Sequence, residues 1–137
     1  MQISDMRITG SSRNSFLQQV ASEVTEAAPS IVVTTGDFVD GRDGNLSRSL
    51  DVFKKIAATY GKFVVLGNHE FLADRDVAAQ RIRYAGFNVL RNDKHILASQ
   101  NVCIVGIEDG HRNKKILPMW RLVTMAKHYH CTATLSH

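Results

Sequence analysis

The 137-residue chain has no apolar run near the roughly 18 residues that a membrane-spanning helix needs. It does not open on the basic-then-apolar pattern of a secretory leader. Cysteine is scarce. The two residues, Cys103 and Cys131, exclude a disulfide-dense scaffold. Both sit in apolar strand-like runs and read as buried free thiols suited to a reducing compartment, with one disulfide between them left open. Two prolines and no repeat or low-complexity tract exclude a linker or a solenoid. Charge of one sign does not dominate: 17 Lys and Arg against 13 Asp and Glu give a net charge of +4. That basicity is too small and too scattered for a nucleic-acid surface, and it fits a small anionic substrate. No Gly-x-Gly-x-x-Gly follows the first apolar run, which removes the main signature of a dinucleotide-binding fold. What remains is one domain spanning 1–137.

The chain is organised around Ile31-Val32-Val33-Thr34-Thr35-Gly36-Asp37-Phe38-Val39-Asp40. A β-branched apolar run stops at Gly-Asp, which predicts a buried strand delivering a carboxylate to its C-terminal tip. Gly36 allows the sharp turn that aims Asp37 into a crevice. The pattern recurs where Gln2-Ile3-Ser4 ends in Asp5, and where Phe63-Val64-Val65-Leu66 ends in Gly67-Asn68-His69-Glu70. Ligands of open α/β sheets bind outside the carboxyl ends of the strands. Three such tips on one edge make a pocket rich in oxygen and nitrogen donors, suited to a hard or borderline divalent cation.

Between these runs the periodicity is helical. Phe16, Val20, Val24 and Ala27 predict one helix, with Ser12 as its N-cap. Leu46, Leu50, Phe53 and Ala57 predict a second, stopped by Gly61. Val77, Ala78, Ile82 and Ala85 predict a third, capped by Asp74 and closed by Gly86. Strands are expected at Phe87–Leu90 and Val102–Ile107, separated by a turn at 92–94. A loose helical pattern over Lys115–Tyr129 and a short strand Cys131–Leu135 end the chain. The alternation predicts an α/β fold with parallel pairing at the front.

Ile3-Ser4-Asp5-Met6-Arg7, Gly36-Asp37-Phe38-Val39-Asp40 and Gly67-Asn68-His69-Glu70, in this order, resemble the motifs of the calcineurin-like metallophosphoesterases. The resemblance covers nearly the whole chain and is closest to a bacterial branch reading ISDxH, TGDxVDG and GNHE. It implies a partial α/β sandwich: the first sheet with its flanking helices and an incomplete second sheet. It implies hydrolysis of phosphate monoesters or diesters at a centre of two divalent metals, with manganese, iron and zinc all compatible. Asp5 would hold the first metal, Asp37 would bridge both, and Asn68 and His137 would hold the second. The metals would lower the pKa of a shared water toward about 7 for in-line attack. His69 would be the general acid, oriented by Asp40. Glu70 is expected either behind the site or facing solvent. Arg42 is a candidate for a phosphate oxygen, although Gly41 separates it from Asp40, which it directly follows in relatives. His128, His130, His95 and His111 read as surface or turn histidines.

Two departures from the family pattern bear on activity. Arg7 stands where the first motif has histidine. A guanidinium donates hydrogen bonds only and cannot ligate a metal. It would place a cation beside Asp5 and Asp37 instead, leaving one metal or none. The sequence also stops at His137, before the closing Gly-His-x-His. An alternative reading is therefore a degenerate or truncated domain that binds phosphate or metal without turnover. Uncovered sheet surface would favour self-association. As written the chain is expected in the cytoplasm. A longer parent protein with a membrane segment is expected from the resemblance, because Met1 falls inside the first strand.

Overall fold

A computed structural model describes residues 1–40, 46–72 and 74–107, and the backbone of 123–127. The apolar runs that precede Asp5, Gly36 and Gly67, and the one that ends at Leu90, each form a strand of one parallel sheet. β1 (Gln2–Ile3) leads to α1 (Asn14–Glu26), β2 (Val32–Thr35), α2 (Leu46–Lys54), β3 (Lys62–Val65), α3 (Arg75–Tyr84) and β4 (Asn88–Leu90). The strand order is β1-β2-β3-β4, all parallel. Right-handed crossovers that always step the same way leave every helix on one face of the sheet.

Strand alternation separates two cores. Val32 and Val64 point to the helices, where Leu17 and Val24 of α1, Leu46, Leu50 and Phe53 of α2, and Ala78, Ala79 and Ile82 of α3 meet them. Val33 and Phe63, one residue along, point the other way. There they meet a second sheet of antiparallel strands, β5 (Asp93–Leu97), β6 (Val102–Gly106) and β7 (Val123–Lys127), in that order. Ile104 of β6 is the fully buried contact, packed with Val33, Phe63 and Leu90. The outer face of the parallel sheet is therefore covered at these positions.

Several local expectations are corrected. Val24 is buried and Val20 packs against the core as expected, but Phe16 is half exposed with Leu17 in its place, and Ala27 is exposed. Ser12 does not cap α1: its Oγ accepts the Thr9 N–H, and Arg13 at the N-cap makes no side-chain cap. Asp74 caps α3 as expected, accepting from the N–H groups of Asp76 and Val77. α2 ends at Lys54, ahead of Gly61. Gly61, at φ 104°, turns the chain into β3. Ile56, not Ala57, is buried after α2.

The expected turn at 92–94 holds only at its start, Asn92, whose φ is 52°. Asp93 already begins β5, and His95 lies on that strand with its ring 4.9 Å from that of Phe63. Within Lys115–Tyr129 the structure has strand β7, not a helix. Register explains the difference: Met125 and Ala126 pair with Ile104 and Cys103, so a neighbouring strand overrides a weak helical period. Cys103 is disulfide-bonded and is not the free thiol that its apolar surroundings suggested. Arg42, His111, His128, His130, Cys131 and His137, and the expected strand 131–135, lie outside the described residues.

Candidate functional site

The segment after β1 stays beside the segment after β2. The Arg7 N–H donates to Asp37 O (2.8 Å), that of Ile8 to Phe38 O (2.9 Å) and that of Asp40 to Ile8 O (2.9 Å). Ile8 and Val39 form a parallel bridge and are fully buried. Phe38 anchors the same loop in the helical core, its ring 5.3 Å from Phe53 and 5.1 Å from Phe87. These bonds hold an unusual backbone. Asp5, Arg7 and Asp37 have φ of 52°, 44° and 50°, and Gly36 has 84°. Left-handed backbone suits glycine, is tolerated by aspartate, and is disfavoured for a long side chain such as arginine. Such conformations persist where the surroundings over-determine them, and they cluster at functional sites.

The third tip joins through Glu70, which is fully buried. One oxygen, Oε1, accepts the Val39 N–H at 2.9 Å. The other, Oε2, accepts the Gly67 N–H at 2.7 Å and the Asp37 N–H at 3.2 Å. One carboxylate thus satisfies three amides from two loops that water does not reach. Burial pushes the Glu70 carboxyl above the usual carboxylate range, the amides of Val39 and Gly67 pull it back, and the charge of Asp37 adds to the rise. The sequence left Glu70 undecided between this place and solvent. Its spacing held the signal, since an acid three residues after Gly67 can reach back to that N–H as in a capping box.

Asp37 is 1% exposed and faces both neighbours. Its Oδ1 accepts the His69 N–H at 3.2 Å. Its Oδ2 lies 3.6 Å from Arg7 Nη2, which is also 3.7 Å from Asp5 Oδ1. His69 Nδ1 is 3.8 Å from Asp40 Oδ2, an ion-pair distance and too long for a hydrogen bond. That nitrogen is buried and has no hydrogen-bond partner among the described residues. Asn68 stands between Gly67 and His69, half-buried on the same rim. Asp5, Arg7, Asp37, Asn68, His69 and Asp40 therefore gather at one sheet edge.

Residues 1–132 match the sequence profile of the calcineurin-like phosphoesterases. The chain belongs to that family. It is 33% identical over 109 residues to an uncharacterized metallophosphoesterase of Aquifex aeolicus, covering 80% of this chain and 41% of that one. It is 33% identical over 72 residues to the UDP-2,3-diacylglucosamine pyrophosphatase LpxG of Chlamydia muridarum, covering 52% and 22%. A transmembrane protein with metallophosphoesterase domain from Danio rerio is 25% identical over 113 residues, covering 78% and 26%. The chain spans less than half the length of each of these relatives. No solved structure matches it significantly. Among the described residues no helix is long and apolar enough to cross a membrane.

Calcineurin-like phosphoesterases generally use divalent metals, so the donor set is the test. Among the described residues no group of three or more His, Cys, Asp or Glu side chains is arranged to hold a metal ion. Between Asp5 and Asp37 lies a guanidinium, which brings its own positive charge and no lone pair. The described residues do not fit a two-metal centre.

Proposed function

We propose that the chain is a phosphoesterase portion that hydrolyses phosphate esters, monoester or diester, with His69 as the proton donor to the leaving oxygen. The observation that carries this reading is the placement of His69. Its backbone is tied to Asp37, and its buried Nδ1 faces Asp40 across 3.8 Å. The imidazole is 17% exposed, so one edge is held by the protein while a route to the rim stays open. A donor held this way can protonate a departing alkoxide, a role worth about 10²–10⁴ in rate. Asp40 faces the Nδ1 side of the ring across 3.8 Å without a hydrogen bond, which leaves Nε2 as the nitrogen for the substrate.

Among the described residues Asp37 and Asn68 are the donors left for a single divalent ion, with His137 proposed beside them, and manganese, iron and zinc all suit such a set. No step is assigned to that ion. The pyrophosphatase relatives make a phosphoanhydride linkage a reasonable substrate to include with simple esters. The direct test is hydrolysis of an aryl phosphate, an aryl phosphodiester and a nucleoside-diphosphate sugar with added Mn²⁺. Turnover that falls at least 100-fold in His69→Asn supports the reading, and equal turnover in both proteins rejects it.

A second reading is a binding domain without turnover. The Asp5–Arg7–Asp37 ion pairs favour it, because a guanidinium cannot activate water as a metal does. Phosphate binding with no turnover of any of the three substrates would select it. Self-association through the second sheet, where Ile96 on β5 is exposed, is the partner expectation, and sedimentation velocity reads it.

A further inference from the structure

We infer that Arg7 is the resident cation of the Asp5–Asp37 position, so that this chain carries a fixed charge there in place of an exchangeable metal ion. The inference rests on the family assignment and not on turnover.

Three observations converge on it. First, one guanidinium nitrogen, Nη2, sits 3.7 Å from Asp5 Oδ1 and 3.6 Å from Asp37 Oδ2, midway between the carboxylates. Second, the side chain is held there by its backbone. Residue 7 is in the left-handed region at φ 44°, fixed by the 2.8 Å bond from its N–H to Asp37 O, so the guanidinium and its anchor both address Asp37. Third, Asp37 is 1% exposed. A buried carboxylate is costly unless compensated, and Arg7 is a cation beside it among the described residues.

The charge count differs from that of a metal. Two carboxylates around a divalent ion are neutral together, whereas around a guanidinium they keep one negative charge. Counting these three side chains alone, exclusion of a metal ion is therefore steric and not electrostatic: the guanidinium occupies the space between the two facing carboxylate oxygens. Arg7 is half exposed and its guanidinium makes no hydrogen bond with the described residues. A half-exposed guanidinium keeps N–H donors that a phosphoryl oxygen could accept from.

The test counts bound Mn²⁺ per folded chain, by equilibrium dialysis with elemental analysis, in wild type, Arg7→His, Arg7→Ala and Arg7→Lys. Histidine is among the residues that accept left-handed backbone, so Arg7→His suits the turn and supplies the missing ligand. Arg7→Ala only opens the position and guards against a misfolded histidine variant. The expected result is about one Mn²⁺ more per chain in Arg7→His than in wild type, a smaller gain in Arg7→Ala, and none in Arg7→Lys, which keeps the charge. Two Mn²⁺ already bound to wild type, or no gain in either the His or the Ala variant, would overturn the inference. The count does not depend on hydrolysis, so a failed substrate assay leaves it standing, and a failed count leaves the assignment of His69 intact.

Discussion

Glu70 holds Asp37 in place from behind, through a 3.2 Å hydrogen bond from the Asp37 N–H to Glu70 Oε2. The same oxygen takes the Gly67 N–H and its twin takes that of Val39, so the loops after β2 and β3 share one buried acceptor. Asp37 touches the rim. Glu70 is a positioning residue that fixes where Asp37 stands.

Replacing Glu70 with Gln turns one acceptor into a donor facing an amide. At least one of the three N–H groups is then left without a partner in a dry interior. The expected cost is about 1–3 kcal/mol, and more for Glu70→Ala. Chemical denaturation of both variants measures it. The pH dependence has a definite sign. With the folded pKa raised above 4.5, the native state holds more protons than the unfolded one from about pH 4.5 up to the folded value. Stability contributed by this group is fully present below that window and falls as pH rises through it. Glu70→Gln should flatten that slope.

Lys62 behaves differently. Its buried ammonium donates to Phe53 O at 2.7 Å and Ala85 O at 3.1 Å, satisfying carbonyls at the C-terminal ends of two helices. Burial lowers its pKa below 10.5. The unfolded chain therefore binds more protons between the folded value and 10.5, and stability should rise with pH across that window. Lys62→Met removes this contribution and both hydrogen bonds. Unfolding midpoints measured as pH approaches 10.5 from below should climb in wild type and climb less in the variant.

The cap on α3 gives an independent check of local structure. Asp74 accepts from Asp76 N–H at 2.9 Å and Val77 N–H at 3.2 Å. Asp74→Ala should destabilise the chain by about 0.5–2 kcal/mol in thermal or denaturant melts, with no change in metal content.

The parallel sheet was legible because each of its strands is a short apolar run ending in Gly or a polar turn, as at Gly36 and Gly67. Gathering Asp5, Asp37, Asn68, His69 and Asp40 at one edge followed from that topology. The antiparallel half was less legible. Asp93, Lys94 and His95 read as turn because their side chains are exposed, and only pairing with β6 makes them a strand. The stripe of α1 held at Val20 and Val24 and misled at Phe16, because Phe16 and Leu17 are adjacent and hydrophobicity alone does not choose between them. Glu70 was undecided because a carboxylate's burial depends on amides 31 and 33 residues away in sequence. The bond of Cys103 depends on where its partner lies in space, which spacing does not give.

Proton donation from His69 to the leaving oxygen is the central step proposed, and dependence on the leaving group tests it directly. Turnover of wild type and His69→Asn should be compared on a phenyl ester, whose leaving group is basic, and a p-nitrophenyl ester, whose leaving group needs little protonation. The expected result is a loss of about 10²–10⁴ on the first ester and a much smaller loss on the second. Equal losses on both esters, or none on either, would contradict it.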